Sequence, residues 1–186
     1  MKITKKRVLV VLGGVVVLSC ALGCILIGGL AVFGPGLYEG MLANSSLPVG
    51  EQAPDFEVKT LSGETVKLSD YRGHPVLLTF GASWCPDCRR EVPLLQSLHE
   101  SESSLAILMI DTKEDRATVQ AYADEFGMTF PIGLDEDGVI ATEYRVWAIP
   151  TELLIDEAGI VRARLIESVT KESLAKLLAE AGIEGP

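Results

Sequence analysis

The chain has 186 residues and a formal net charge of −10, with 48% hydrophobic and 23% charged residues. Those fractions lie near globular averages and exclude a collagen-like or wholly disordered polymer. Four of the 16 basic residues, Lys2, Lys5, Lys6 and Arg7, precede the first acidic residue, Glu39, so the 12 that remain face 26 acidic ones. A surface of that sign is unsuited to a phosphate backbone, and no nucleic-acid partner is expected.

In chain order, residues 1–7 read as a basic cytoplasmic tip and Val8–Phe33 as an uncharged run of 26 residues. As a helix the run would be about 39 Å long, more than the roughly 30 Å hydrocarbon core of a bilayer, so it predicts a transmembrane anchor over 8–33. The basic tip then places the N-terminus in the cytoplasm and everything downstream outside it, in a single-pass topology at the membrane of a bacterial cell. Two rivals keep the same sidedness. A cleaved signal peptide has a shorter apolar region, about 7–15 residues. Lipidation at Cys20, in the lipobox-like Val17-Leu18-Ser19-Cys20, is set against the apolar character that continues from Ala21 to Phe33. Gly34-Pro35-Gly36 ends the run, residues 34–47 have the composition of a tether, and a single folded domain is expected over 48–186.

Within that domain Phe56–Lys59 and Thr65–Leu68, around Ser62-Gly63, read as an N-terminal β-hairpin. Val76–Phe80 and Leu105–Ile110 are short apolar runs of the kind a buried strand shows, and Pro86 to about His99 reads as a helix between them. Strand, helix and strand make a βαβ unit with a parallel pair. A second helix is expected from about Lys113 to Phe126, stopped by Gly127, then a short strand near Phe130–Gly133 and a short helix near Val139–Tyr144. Thr151–Asp156 and Ile160–Ile166 flank a turn containing Gly159 and should form an antiparallel hairpin. Thr170 caps a last helix with Leu174, Leu177, Leu178 and Ala181 on one face. The fold class expected is α/β, a central mixed sheet flanked by helices.

Cys20 and Cys24 lie in the apolar run, so the exported domain holds only Cys85 and Cys88. Two thiols at Cys-x-x-Cys spacing, with no structural disulfide framework, are either metal-binding or redox-active. Zinc wants four ligands, and His74 and His99 are not spaced to complete a set, so no metal and no other cofactor is expected; a half-site completed by another chain and a non-enzymatic metal-binding module are the alternatives. The pair falls where a strand hands over to a helix. Cys85 would sit at the helix N-terminus, where unpaired N–H groups and the positive end of the dipole favour thiolate over thiol, which makes it the expected nucleophile. Cys88, one turn further in, would resolve the mixed disulfide. Pro86 suits the first turn, while Asp87 places a negative charge near the same sulfur.

Phe80-Gly81-Ala82-Ser83-Trp84-Cys85-Pro86-Asp87-Cys88 resembles the active-site segment of thioredoxin-fold proteins, and Trp147-Ala148-Ile149-Pro150-Thr151 resembles their cis-proline loop. Ala53-Pro54-Asp55-Phe56 and Leu68-Ser69-Asp70-Tyr71-Arg72-Gly73 resemble the membrane-anchored TlpA/ResA-like oxidoreductases and the related peroxiredoxins of the AhpC/TSA group. The resemblance, which runs from about residue 48 to the end, implies a thioredoxin-like fold carrying an N-terminal hairpin and a central insertion. It also implies a cis Pro150 facing the disulfide, against the alternative of an ordinary trans turn proline, and an Ile149 backbone able to pair with an extended substrate; Trp84 and Trp147 flank that groove and either line it or pack in the core. Thr79 stands where thioredoxin has a buried acid. Glu91, three residues after Cys88, matches a functional glutamate of the TlpA/ResA-like group and is expected to exchange protons with Cys88, against the alternative of an ordinary surface helix residue.

The activity so implied is protein thiol-disulfide exchange in the reducing direction on exported proteins. In relatives this includes preparing apocytochrome c for haem attachment, with electrons from a membrane thiol carrier. A peroxiredoxin-type peroxidase is the second reading. Its Pro-x-x-x-Thr-x-x-Cys arrangement is missing: Gly81 and Cys85 fill the first two positions counted back from Cys88, and Leu78 and Ala82 those counted from Cys85.

Overall fold

A computed structural model describes residues 46–101 and 104–180. The basic tip, the expected membrane span over 8–33 with Cys20 and Cys24, and nearly all of the expected tether lie outside the described residues. Among those described, no helix is long and apolar enough to cross a membrane.

The first two strands, β1 (Glu57–Lys59) and β2 (Thr65–Lys67), pair antiparallel as the expected N-terminal hairpin. A 3-10 turn over Leu68–Tyr71 leads to β3 (Val76–Gly81), followed by α1 (Pro86–Ser101) and β4 (Ala106–Thr112). Then come α2 (Arg116–Phe126), β5 (Ile132–Asp135), α3 (Val139–Glu143), β6 (Thr151–Ile155), β7 (Val161–Leu165) and α4 (Lys171–Glu180). The main sheet has the order β5-β4-β3-β6-β7, with β3 parallel to β4 and antiparallel to β6. It is the mixed sheet of a thioredoxin-like fold, and β5, part of the expected central insertion, extends one edge.

Because successive strand side chains point to opposite faces, β3 feeds two cores. Leu77 faces α1, α2 and α4 together with Ile107, Met109 and Leu154, while Val76, Leu78 and Phe80 face α3 and the N-terminal segment with Phe56, Leu68 and Tyr144. All six residues of β3 are buried, which explains why this strand reads as an unbroken apolar run. Leu47, one residue before the expected start of the domain, is buried in the second core.

Two elements sit two or three residues later than their expected positions. Lys113 has φ 63°, outside helical space, and Asp115 caps α2 by accepting a hydrogen bond from the Thr118 N–H, so the helix starts at Arg116 rather than Lys113. Gly127, at φ 62°, ends it as expected. The strand expected near Phe130–Gly133 is Ile132–Asp135: Pro131 brings no N–H, and Phe130 fills the first core instead. The last helix has its expected cap, Thr170 Oγ1 accepting from the Ser173 N–H at 3.1 Å.

Candidate active site

Strand β3 ends at Gly81, and four residues later Cys85 stands immediately before α1. Cys85 and Cys88 are joined by a disulfide. The Cys88 N–H donates to Cys85 Sγ at 3.1 Å, the arrangement expected of a sulfur held at a helix N-terminus. Cys88 is the less exposed, at 1% against 4% for Cys85. Gly81 makes room for the pair. A Cβ there would lie 3.0 Å from Met109 Cε and 3.6 Å from Cys88 Sγ, so the sulfurs can lie close against the strand.

The Ile149–Pro150 peptide is cis, and the Ile149 carbonyl oxygen comes within 3.8 Å of Cys85 Sγ. Thr151 Oγ1 closes this loop by donating to the Ala148 carbonyl at 2.8 Å. Trp84 and Trp147 are not core residues. They are 66% and 77% exposed, and together with Val146, Ile149, Thr112 and Lys113 they wall a pocket of about 220 Å³ beside the disulfide. The structure therefore brings Trp84, Cys85, Cys88, Trp147, Ile149 and Pro150 to one place, from two separate stretches of chain.

Glu91 lies on the inner side of the same helix and is 2% exposed, which rules out the surface alternative. Its Oε2 accepts from the Val169 N–H at 3.0 Å, just ahead of α4. Burial raises its pKa to about 7, although the Val169 N–H and the neighbouring Glu152 carboxyl pull the other way. A carboxyl poised there can hold or release a proton at neutral pH, and Cys88 is its neighbour at i−3.

Two acids without a motif of their own, Glu152 and Asp111, complete the inner layer, and half-buried Glu114 stands at its edge. Glu152, on β6, is fully buried, and burial, then the nearby Glu91 charge, raises its pKa well above the ordinary range. Asp111, at the end of β4 opposite Gly81, is also fully buried. Burial first, then the charge of Glu114, raises its pKa to about 8. Glu114 itself accepts from the Ser83 N–H at 2.5 Å and the Ser83 hydroxyl at 2.6 Å. The available signal was an acid set within an apolar strand run, Glu152 in Thr151–Ile155 and Asp111 in Ala106–Thr112, since buried strand interiors rarely hold an acid without a reason.

The two arginines after Cys88 behave differently from one another. Arg90 pairs with Asp87, reducing the negative charge offered to Cys85. Arg89 is anchored: it pairs with Glu125, donates to the Ser83 carbonyl at 3.2 Å, and stacks over Phe126 with its guanidinium 4.9 Å from the ring centre.

A Cys-x-x-Cys disulfide at a helix N-terminus, faced by a cis-proline loop on a thioredoxin-like sheet, defines an enzyme of thiol-disulfide exchange. Residues 49–164 match the AhpC/TSA family, and the chain belongs to that family, in its thiol-disulfide oxidoreductase branch. It is 35% identical to the thiol-disulfide oxidoreductase ResA of Geobacillus kaustophilus over 80% of this chain and 87% of that one. With the thioredoxin-like protein YneN of Bacillus subtilis it shares 38% identity over 69% of this chain and 78% of the other. Among solved structures it resembles a secreted Mycobacterium tuberculosis disulfide oxidoreductase homologous to E. coli DsbE. The TM-score there is 0.62, at 25% identity over 67% of this chain and 94% of that one.

Proposed function

We propose that this oxidoreductase is anchored in the membrane by residues 8–33, faces outward, and reduces disulfides of exported proteins, apocytochrome c among them. The observation that carries the reducing direction is the buried carboxyl layer of Glu91, Glu152 and Asp111 on the sheet face that carries the disulfide. Strong oxidants owe their potential to a stabilised dithiolate or thiolate form. The charge on Glu91, in a buried setting where Glu152 and Asp111 hold their protons, disfavours a thiolate at Cys88, so the reduced form gains little and the pair gives up electrons readily.

The exchange then runs as follows. Cys85 thiolate attacks one sulfur of the client disulfide, forming a mixed disulfide and expelling the other client sulfur as thiolate. Cys88 passes its proton to the Glu91 carboxylate and attacks Cys85 Sγ, forming the enzyme disulfide and releasing the second client thiolate. Two electrons have moved to the client, and a dithiol carrier in the membrane restores the enzyme. Trp84, Trp147 and Ile149 receive the apolar side chain that flanks the client cysteine, and the loop at Pro150 receives its backbone.

The disulfide potential tests the direction. A value near the roughly −270 mV of thioredoxin is expected, and one near the roughly −120 mV of a strong oxidant overturns it. Cys88→Ala should accumulate mixed disulfides through Cys85, and mass spectrometry of the trapped adducts names the client. An absence of apocytochrome c among them removes that assignment.

A further inference from the structure

Glu152 poses a specific problem of charge. It is fully buried, and no N–H or O–H donor of the described residues reaches either of its oxygens. An ionised carboxyl in that state would be left without the hydrogen bonds that a buried charge needs. The strand register sets it opposite Thr79, and alternation turns both toward α1, on the face that carries Leu77 and Leu154. There the polar neighbour that acts on Glu152 is the Glu91 carboxyl, itself buried on the inner side of α1. The two acids are not equivalent. Glu91 has the Val169 N–H as a donor, and Glu152 has none, so the negative charge of the pair belongs on Glu91 and the retained proton on Glu152.

We propose that Glu152 is a positioning residue for the exchange reaction: it stays a neutral acid and donates its O–H to the Glu91 carboxylate, holding that carboxylate ready to accept the proton of Cys88. In the forward step the Cys88 S–H bond breaks, the proton passes to Glu91, and the sulfur's electron pair forms the bond to Cys85 Sγ. Glu152 keeps its own proton throughout. The same layer explains the separation of roles, because two neighbouring carboxyls in an apolar setting do not both ionise. Other groups near the pair are Cys88 on α1 and Tyr122 on α2, and the Tyr122 hydroxyl feels the charge of Glu91 together with those of Arg89, Asp111 and Glu114. Among the described residues the buried Tyr122 hydroxyl has no hydrogen-bond partner, so it donates to neither carboxyl.

The test is the titration of Glu91 read directly by carbon-13 NMR of the side-chain carboxyl. It uses the full chain with the disulfide intact, and the resonance is identified by its loss in Glu91→Gln. Glu152→Gln keeps a donor and should leave the Glu91 midpoint within about half a pH unit. Glu152→Leu removes the donor and should raise it by about one unit or more. Three results would each overturn the proposal: no movement in Glu152→Leu, a downward movement, which would mean that Glu152 acts as an anion, or an equal shift in both variants. The proposal rests on Glu91 being the proton acceptor of Cys88. That reading has its own test, the pH profile of enzyme disulfide formation in Glu91→Gln, and since no exchange takes place in the oxidised protein the two failures are distinguishable.

Discussion

Ser83 commits three polar groups to holding the segment that leads into Trp84 and Cys85. Its N–H and hydroxyl both donate to Glu114, and its carbonyl accepts from Arg89. Hydrogen bonds to a charged acceptor are worth about 1.5–3 kcal/mol, roughly twice a neutral one, and a half-buried N–H stripped of its acceptor adds a desolvation cost. Ser83→Ala should therefore lower the unfolding free energy by about 1 kcal/mol and Glu114→Ala by about 2 kcal/mol, measured by urea denaturation of the oxidised protein. The order is the check, since a larger loss in Ser83→Ala would mean that the backbone bond is not what Glu114 supplies. At this scale Glu91 was legible because its spacing from Cys88 on a helix fixes which face it shares. Glu152 and Asp111 were not, because strand spacing says which face a residue occupies but not that the neighbours on that face are also acids. Only the register of β3, β4 and β6 brings them under one disulfide.

Between elements, the expected hairpin has an unexpected duty. Beyond its own pairing, Leu61 N–H donates to the Ile132 carbonyl at 2.8 Å and Thr60 bridges to Gly133, so the loop between β1 and β2 closes the exposed edge of β5. Gly133 is what lets it approach. A Cβ there would fall 2.7 Å from Val58 Cγ1 and 3.0 Å from Ile110 Cδ1, too close for either to remain in place. Gly133→Ala should destabilise by about 1–3 kcal/mol through overpacking, and Val58→Ala added to it should recover part of that loss. Thermal unfolding of the four proteins of that cycle measures the coupling, and simple additivity would show that the contact does not set the docking. The hairpin itself was legible from alternation and Ser62-Gly63, as were both halves of the βαβ unit. Its docking partner was not, because a pairing across more than seventy residues leaves no local mark on either segment.

Across the whole domain the N-terminal segment closes both sheet edges. While Thr60 and Leu61 cover β5, the Gly50 N–H donates to the Val161 carbonyl at 2.8 Å and the Ala53 N–H to the Gly159 carbonyl at 2.9 Å, along β7. Tyr144 anchors the stretch between them. It is buried against Phe56 and Phe80 and donates its hydroxyl to the Pro54 carbonyl. The domain so enclosed keeps water from a layer of acids, and that has a consequence for stability against pH. Glu91 is raised from 4.5 to about 7 and Asp111 from 3.8 to about 8, each chiefly by burial. A raised carboxyl binds its proton more tightly in the native state than in the unfolded one. Its contribution is therefore complete below the unfolded pKa, near pH 4, and is lost as pH rises through the folded value. Each such group can contribute a slope of up to about 1.4 kcal/mol per pH unit within its window. Exposed Asp55 and Asp115, whose pKa values are lowered, act in the opposite sense and only at lower pH, below about 3.8. The oxidised protein should accordingly be most stable near pH 4–5 and weaken steadily toward pH 8. Asp111→Asn keeps the shape and removes one titration, so it should flatten the decline between pH 5 and 8 and leave the variant the more stable of the two at pH 8. Urea midpoints taken at half-unit pH intervals decide it. Parallel curves for the two proteins would show that Asp111 is ionised in the native state throughout and that the enclosed layer does not hold its proton.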